Sequence, residues 1–282
     1  MTETFKLNEA LKPLAVLGYS NIRTAWTKKT PEWMKDIGPA QIPALIELIE
    51  QWPELFEDDQ DEPWPWAPLY AWRALGYLKA VKAVEPILAL LEKWDELEDD
   101  WYIEEIPKVF GMIGPDVIEP CFKYLANQSN KVIPRAVACD SLNAIAQRQP
   151  VTRQEVIEKI NAVLADFEKN EKDLNGLIIC NLLDLKAVES VDLIMRAFKA
   201  EQVDRMVVDE TSIRDELHVS IGSKTEIKPG PRPGTILVDG EIMIRSSRKI
   251  YMPPTKKKKT KNSKKAKHKQ GKISRKKNRK KK

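Results

Sequence analysis

The segment YLKAVKAVEPILALLEK, residues 77–93, decides the fold, because its core LKAV is written again at residues 185–188. Aligning the two copies pairs Leu75 with Leu182 on one side of the core and Val84 with Val191 on the other. Apolar residues at helical spacing stand on both sides of each LKAV. The repeated unit is therefore predicted to be two helices joined by a short turn.

The 107 residues that separate Leu78 from Leu185 contain further copies of this unit. Gly111 lies about 35 residues beyond Gly76, weaker copies follow after residue 135, and a looser copy precedes residue 52. A period of about 36 residues with two apolar-periodic segments per unit is typical of an α-solenoid, in which stacking of units supplies the core. The sequence predicts an all-α fold, an α-solenoid of about five helical hairpins, over residues 1–218.

Three prolines recur at the predicted start of a second helix, namely Pro43, Pro86 and Pro120. A proline is tolerated there because the first N–H groups of a helix have no intrahelical partner.

These residues carry a resemblance to a known repeat. ALGYLKAVKAVEPILALL, residues 74–91, resembles the HEAT-like repeat of the phycobilisome-lyase type, and the segments at 99–115, 174–198 and 203–217 resemble an uncharacterised family of bacterial HEAT-like proteins. The likeness covers roughly residues 35–220 and implies HEAT-like hairpins. Some relatives of that kind end in a cysteine-rich SEC-C zinc motif. No cysteine follows Cys180 here, so zinc binding by that route does not carry over.

The sequence changes character after the repeats. TILVDGEIMIR, residues 235–245, sets Asp239-Gly240 between two β-prone runs, which predicts a β-hairpin or an extended segment within a linker at 219–254. Residues 255–282 contain 17 Lys or Arg and no acidic residue, which predicts a disordered tail. Residues 1–254 retain 30 basic and 42 acidic residues, a net charge of −12.

The tail is the strongest candidate binding element. Such a charge run can neutralise phosphates of RNA, the ribosome or DNA, while the lack of aromatic residues argues against base stacking. A solubilising extension, or a tail that folds back on the acidic body, explains the same composition. The candidate polyanion-binding residues are Lys256, Lys257, Lys258, Lys259, Lys261, Lys264, Lys265, Lys272, Arg275, Lys276, Lys277 and Arg279.

Acidic loops follow the second helix of two successive units, starting at Phe56 and Trp94. Because equivalent loops of a solenoid stack along one edge, they are expected to form a negative ridge. Solvated edge charge and a contact for a basic peptide are both open interpretations. The candidate acidic contacts are Asp58, Asp59, Asp61, Asp99 and Asp100.

All eight tryptophans lie between Trp26 and Trp101. Trp64 and Trp66 sit in a proline-interrupted loop, so we consider them candidate contacts for a protein partner. The alternative is that they cover the open core of the terminal repeat.

The sequence gives little support for an enzymatic function. The only histidines are His218 and His268, so neither a metal triad nor a Ser or Cys charge relay has its base, and we predict no catalytic residue, no metal site and no cofactor. Cys121, Cys139 and Cys180 lie in apolar helical runs, as expected of reduced core thiols in a cytoplasmic protein. No run of 18 uninterrupted apolar residues occurs, so no membrane partner is expected.

Together these observations predict a non-enzymatic scaffold or adaptor that binds a protein partner through the solenoid and a polyanion through the tail. One alternative, implied by the repeat resemblance, is an accessory role in bilin or chromophore attachment. Another is a solenoid autoregulated by binding of its tail to the acidic ridge. The partner, the oligomeric state and the choice between RNA and DNA are left open.

Overall fold

The computed structural model describes residues 9–17, 30–51, 66–98 and 100–218 of the protein. Within these ranges the chain forms eleven α-helices and no strand. The helices are α1 (Lys12–Ala15), α2 (Ile42–Glu50), α3 (Ala67–Tyr77), α4 (Val84–Glu96), α5 (Trp101–Ile113), α6 (Ile118–Ala126), α7 (Val132–Arg148), α8 (Arg153–Ala165), α9 (Lys172–Asp184), α10 (Val191–Lys199) and α11 (Glu210–Leu217).

The helices pack in two layers. In the first layer, α3, α5, α7, α9 and α11 pack in chain order, each against the next. In the second layer, α2, α4, α6, α8 and α10 do the same. Four complete hairpins result, α3–α4, α5–α6, α7–α8 and α9–α10, which we number 1 to 4, and the described chain adds α2 before them and α11 after them. The predicted all-α solenoid of stacked hairpins is confirmed.

The repeated LKAV forms the turn between the two helices of hairpins 1 and 4. The N–H of Ala80 donates to the Leu75 carbonyl at 3.0 Å, and the N–H of Ala187 donates to the Leu182 carbonyl at 3.0 Å. These bonds belong to the Schellman ending of a helix, which requires a residue in the left-handed region. Lysine occupies that position in both copies, Lys79 with φ 49° and Lys186 with φ 53°. The repeat is thus a structural turn.

A Lys79→Gly substitution is expected to stabilise the protein by about 0.5–1 kcal/mol, because glycine enters the left-handed region without the steric cost that a Cβ imposes. The melting temperature should rise by about 1–4 °C in a chain of this size. Circular dichroism during heating measures the change. Lys79→Ala keeps the Cβ and serves as the control, and an equal rise in that variant would contradict the explanation.

A short 3₁₀ turn leads into every described second helix, as at Val81–Ala83 before α4 and Pro115–Val117 before α6. Pro43, Pro86 and Pro120 lie in the first turn of α2, α4 and α6, as predicted. This ordered turn fixes the angle at which each second helix packs back on its first helix.

Close approach of helices in the first layer depends on a glycine. A Cβ placed on Gly111 of α5 would lie 3.1 Å from the Cβ of Ala144 on α7, a tight contact with no room for a larger group. The core between the layers is continuous from Leu45 on α2 to Ile213 on α11, both fully buried. Cys121 and Cys139 are buried in it, and Cys180 is half-buried. Burial raises the pKa of the Cys121 thiol above its usual value.

A buried polar network joins hairpins 2, 3 and 4. The guanidinium of Arg135, on α7, donates to the Leu125 carbonyl at 2.8 Å, to Asn170 Oδ1 at 2.8 Å and to Glu171 Oε2 at 3.2 Å. Asn170 in turn donates to Asn175 Oδ1 at 3.1 Å. The side chain of Arg135 is 1 % exposed, whereas that of Glu171 is 49 % exposed. Burial lowers the pKa of Arg135, and the Glu171 carboxylate opposes that effect.

The predicted linker at 219–254, its β-hairpin at 235–245 and the tail at 255–282 lie outside the described residues. Among the residues that are described, none of the helices has the length and apolar character needed to cross a membrane.

Candidate binding surface

The solenoid has two edges, one formed by the turns inside hairpins and one by the loops between them. Side-chain contacts link successive turns, since Arg153 at the start of α8 donates to the Leu185 carbonyl at 3.0 Å and to Glu189 at 2.9 Å. Contacts also link successive loops, since the N–H of Asp204 donates to the Lys172 carbonyl at 3.0 Å. Acidic residues at the end of α4 therefore lie on the inter-hairpin edge.

Three carboxylates at the end of α4, those of Glu92, Asp95 and Glu96, form what we call the acidic cluster. The ammonium group of Lys131 lies 3.1 Å from Glu96 Oε1, 3.4 Å from Asp95 Oδ2 and 3.7 Å from Glu92 Oε2. The backbone N–H of Lys131 also donates to Glu92 Oε1 at 2.8 Å. Desolvation opposes the charge, yet Glu96 and Asp95 raise the pKa of Lys131 above its usual value. The cluster thus holds one lysine from the chain itself.

Two tyrosines bond to the same carboxylates. Tyr124 on α6 donates its hydroxyl to Glu92 Oε1 at 3.4 Å, and Tyr102 on α5 donates to Asp95 Oδ1 at 3.1 Å. Burial raises the pKa of Tyr124 above its usual value, and Glu92 adds to the effect. Tyr124 therefore stays protonated and keeps donating at neutral pH.

Lys131 reaches the cluster because α6 is short. Helix α4 has 13 residues and α6 has 9. The chain leaves α6 about one turn early and crosses at Asn127–Asn130, so the start of α7 contacts α4 of hairpin 1 directly. Hairpin 3 therefore contacts hairpin 1 directly, although hairpin 2 lies between them in the chain.

An open groove with a volume of about 360 Å³ lies between α4 and α6. Leu88 and Ala89 of α4, with Pro120 and the ring of Tyr124 on α6, provide its apolar lining. Its polar lining consists of Glu85, Lys123, Asn127 and Asn130. Glu85 and Ala89 are exposed to solvent.

Lys123 on the groove wall faces a carboxylate of its own helix, Glu119 Oε1, at 3.7 Å. Glu119 also pairs with Lys159 of α8 at 2.6 Å. This hydrogen bond from Lys159 lowers the pKa of Glu119. Among the described residues none forms an ion pair with Glu85, so its exposed carboxylate in the groove lining can accept a cation from a ligand.

Most of the candidate binding residues predicted from the sequence lie outside the residues that the structure describes. They are Asp58, Asp59, Asp61, Trp64, Asp99 and every tail lysine and arginine. Asp100 is described, exposed and directly before α5. The predicted ridge of two stacked acidic loops is therefore untested as a whole. Its described part, at the end of α4, is partly neutralised by Lys131.

Trp66 lies at the start of α3 and is 8 % exposed. Its ring packs edge-to-face against Trp101, with ring centroids 5.9 Å apart and planes at 82°. This packing favours the interpretation that Trp66 covers the core near the N-terminal end of the repeats, and it leaves little of the ring for a partner.

Sequence reasoning did not find Glu85, Glu92, Tyr124 or Lys131. Lys131 and Glu92 are 39 positions apart, and their contact depends on where α6 ends. The polar run Asn127-Gln128-Ser129-Asn130 was the available signal for that early ending.

No group of three or more His, Cys, Asp or Glu side chains within the described ranges is arranged to hold a metal ion.

The stacked hairpins and the groove between second-layer helices define the protein as an α-solenoid with an open, mixed apolar and acidic surface. The chain belongs to the family DUF1186, described as proteins of unknown function, whose model matches residues 27–229. The match contains α2 to α11 and ends before the Lys- and Arg-rich tail. No curated protein and no solved structure matches the chain.

Proposed function

We propose that the protein is a non-enzymatic adaptor that binds a protein partner through its solenoid and a polyanion, RNA or the ribosome first, through residues 255–282. The observation that carries the proposal is the separation of charge along the chain, 17 basic and no acidic residues in the tail against a net charge of −12 before it. A segment of that composition binds phosphates through counterion release and needs no defined base contacts.

The solenoid supports the second half of the proposal. Stacked hairpins expose an extended surface on which neighbouring repeats contribute side chains side by side, and such surfaces serve binding. We also propose that the hairpins are HEAT-like repeats of the kind found in phycobilisome lyases. Their paired helices, joined by short turns and repeated about every 36 residues, support that assignment. A cytoplasmic location fits the thiol form of the three cysteines.

Affinity purification tests the proposal, with the full chain compared with a chain whose 17 tail cations are replaced by glutamine, each with and without nuclease. We expect nucleic acid only with the native tail. Proteins that survive nuclease and are retained by both chains are expected to be solenoid partners. Equal recovery of nucleic acid with both chains would contradict the role of the tail, and the lack of any nuclease-resistant partner would contradict the adaptor.

A further inference from the structure

We propose that the groove between α4 and α6 is the site at which the solenoid binds an extended peptide segment of its protein partner that carries regularly spaced lysines. This inference rests on the proposed adaptor function and assigns the place and the chemistry of the protein contact. Three features of the groove carry it, namely its shape, its charge and the lysine that the neighbouring carboxylates already hold.

The shape suits a lysine-bearing extended chain. The groove is open to solvent, and Asn127 and Asn130 of the loop after α6 line part of it. Leu88, Ala89, Pro120 and the Tyr124 ring offer an apolar surface. A lysine can lay its methylene stem on such a surface while its ammonium group stays at the rim.

Two carboxylates of α4 make this surface complementary to a cation. Glu85 lines the groove, and Glu92, whose Oε1 accepts the Tyr124 hydroxyl at 3.4 Å, lies just beyond the lining on the same helix. They are seven residues apart on α4, which corresponds to about 10 Å along a helix axis. Residues three apart in a polyproline II chain are separated by about 9 Å and point to the same side. Lysines at positions i and i+3 of such a peptide therefore match the two carboxylates.

Cations near the groove cancel only part of this charge, because three ammonium groups stand against five carboxylates, those of Glu85, Glu92, Asp95, Glu96 and Glu119. Lys123 faces Glu119 at 3.7 Å, and Lys131 is shared by the three carboxylates of the acidic cluster. Lys131 shows that the α4 carboxylates can bind a lysine, because they accept hydrogen bonds from its ammonium group and from its backbone N–H. A partner lysine would add a second cation to a surface that already accepts one.

The test uses the full chain and a dye-labelled peptide (Lys-Pro-Pro)₄, with (Glu-Pro-Pro)₄ as the opposite-charge control. Fluorescence anisotropy at low salt measures both affinities. We expect the lysine probe to bind at least about tenfold more tightly than the glutamate probe. Glu85→Lys reverses the free carboxylate and Ala89→Trp fills the groove at an exposed position. Each is expected to weaken binding about fivefold or more, because close charge and shape complementarity govern such contacts.

Glu104→Lys is the matched control, since Glu104 is an exposed glutamate in the first turn of α5 and does not line the groove. It should change the affinity by less than about twofold, as expected of a charge away from the contact. Melting curves confirm that each variant folds, and Glu85→Gln replaces any variant that does not.

Failure of wild-type protein to prefer the lysine probe, or equal affinities of Glu85→Lys, Ala89→Trp and Glu104→Lys, would overturn the groove assignment. A gain in lysine-probe binding on replacing the tail cations by glutamine that disappears when Glu85→Lys is also present would mean that residues 255–282 occupy the groove, and would overturn its assignment to a partner. RNA binding by the tail is measured separately, so the proposed function can stand when the groove assignment fails.

Discussion

Replacing the 17 lysines and arginines of residues 255–282 by glutamine is expected to reduce the affinity of the full chain for a 30-nucleotide single-stranded RNA by at least about 100-fold at low salt. The cause is the loss of counterion release, since each neutralised phosphate frees condensed cations from the RNA. The repeats cannot compensate, because residues 1–254 carry a net charge of −12. Fluorescence anisotropy with labelled RNA gives both affinities.

Salt dependence provides the sharper measurement. For wild-type protein the logarithm of the association constant should fall linearly with the logarithm of salt concentration, with a slope of about −0.7 per phosphate contacted on a single strand. A chain with the same tail residues in shuffled order is the matched control. It should bind RNA with the affinity of the wild type, because the interaction depends on charge and not on sequence. A glutamine-tail chain with the wild-type slope would refute the assignment, and a large loss on shuffling would point to a sequence-specific contact.

Arg135→Met is expected to lower the free energy of unfolding by about 2–4 kcal/mol. Methionine fills much of the volume but leaves the Leu125 carbonyl and Asn170 Oδ1 without the donors that reach them at 2.8 Å. Both acceptors belong to a buried site where water replaces lost hydrogen bonds poorly. Urea unfolding followed by circular dichroism measures the loss.

Glu171→Gln serves as the control for Arg135. Its carboxylate is the ionic partner of the same guanidinium, but it is 49 % exposed. Its loss should cost less than about 1 kcal/mol, as for other solvent-screened pairs. Equal costs in the two variants would mean that the charge pair, and not the buried hydrogen bonds, stabilises this junction.

The hairpins were predictable because their signals are local. Apolar residues at helical spacing and the repeated LKAV fix two helices and a turn within about 20 residues, and the observed Schellman endings at Lys79 and Lys186 match that reading. The prolines predicted the first residue of three second-layer helices to within about one helical turn. Stacking followed from the period, because no single hairpin can bury its own apolar face.

The candidate site was less predictable because it depends on distances between hairpins. Trp66 was a plausible contact residue by its loop position, yet packing against Trp101 buries it. Helix α6 is four residues shorter than α4, a difference of about one helical turn, and the loop that follows α6 lines the groove. Glu92 and Lys131 meet only because of that difference, and no short-range pattern encodes their pairing.

The contact of Lys131 with α4 has a consequence for how the molecule opens. In a solenoid whose units touch only their neighbours, local unfolding proceeds one repeat at a time from either end. Lys131 ties hairpin 3 to hairpin 1, and the buried network around Arg135 joins hairpins 2, 3 and 4, so the four hairpins form one cooperative block. A ligand bound in the groove would thus suppress opening throughout the block, and hydrogen exchange would slow as far away as hairpin 4.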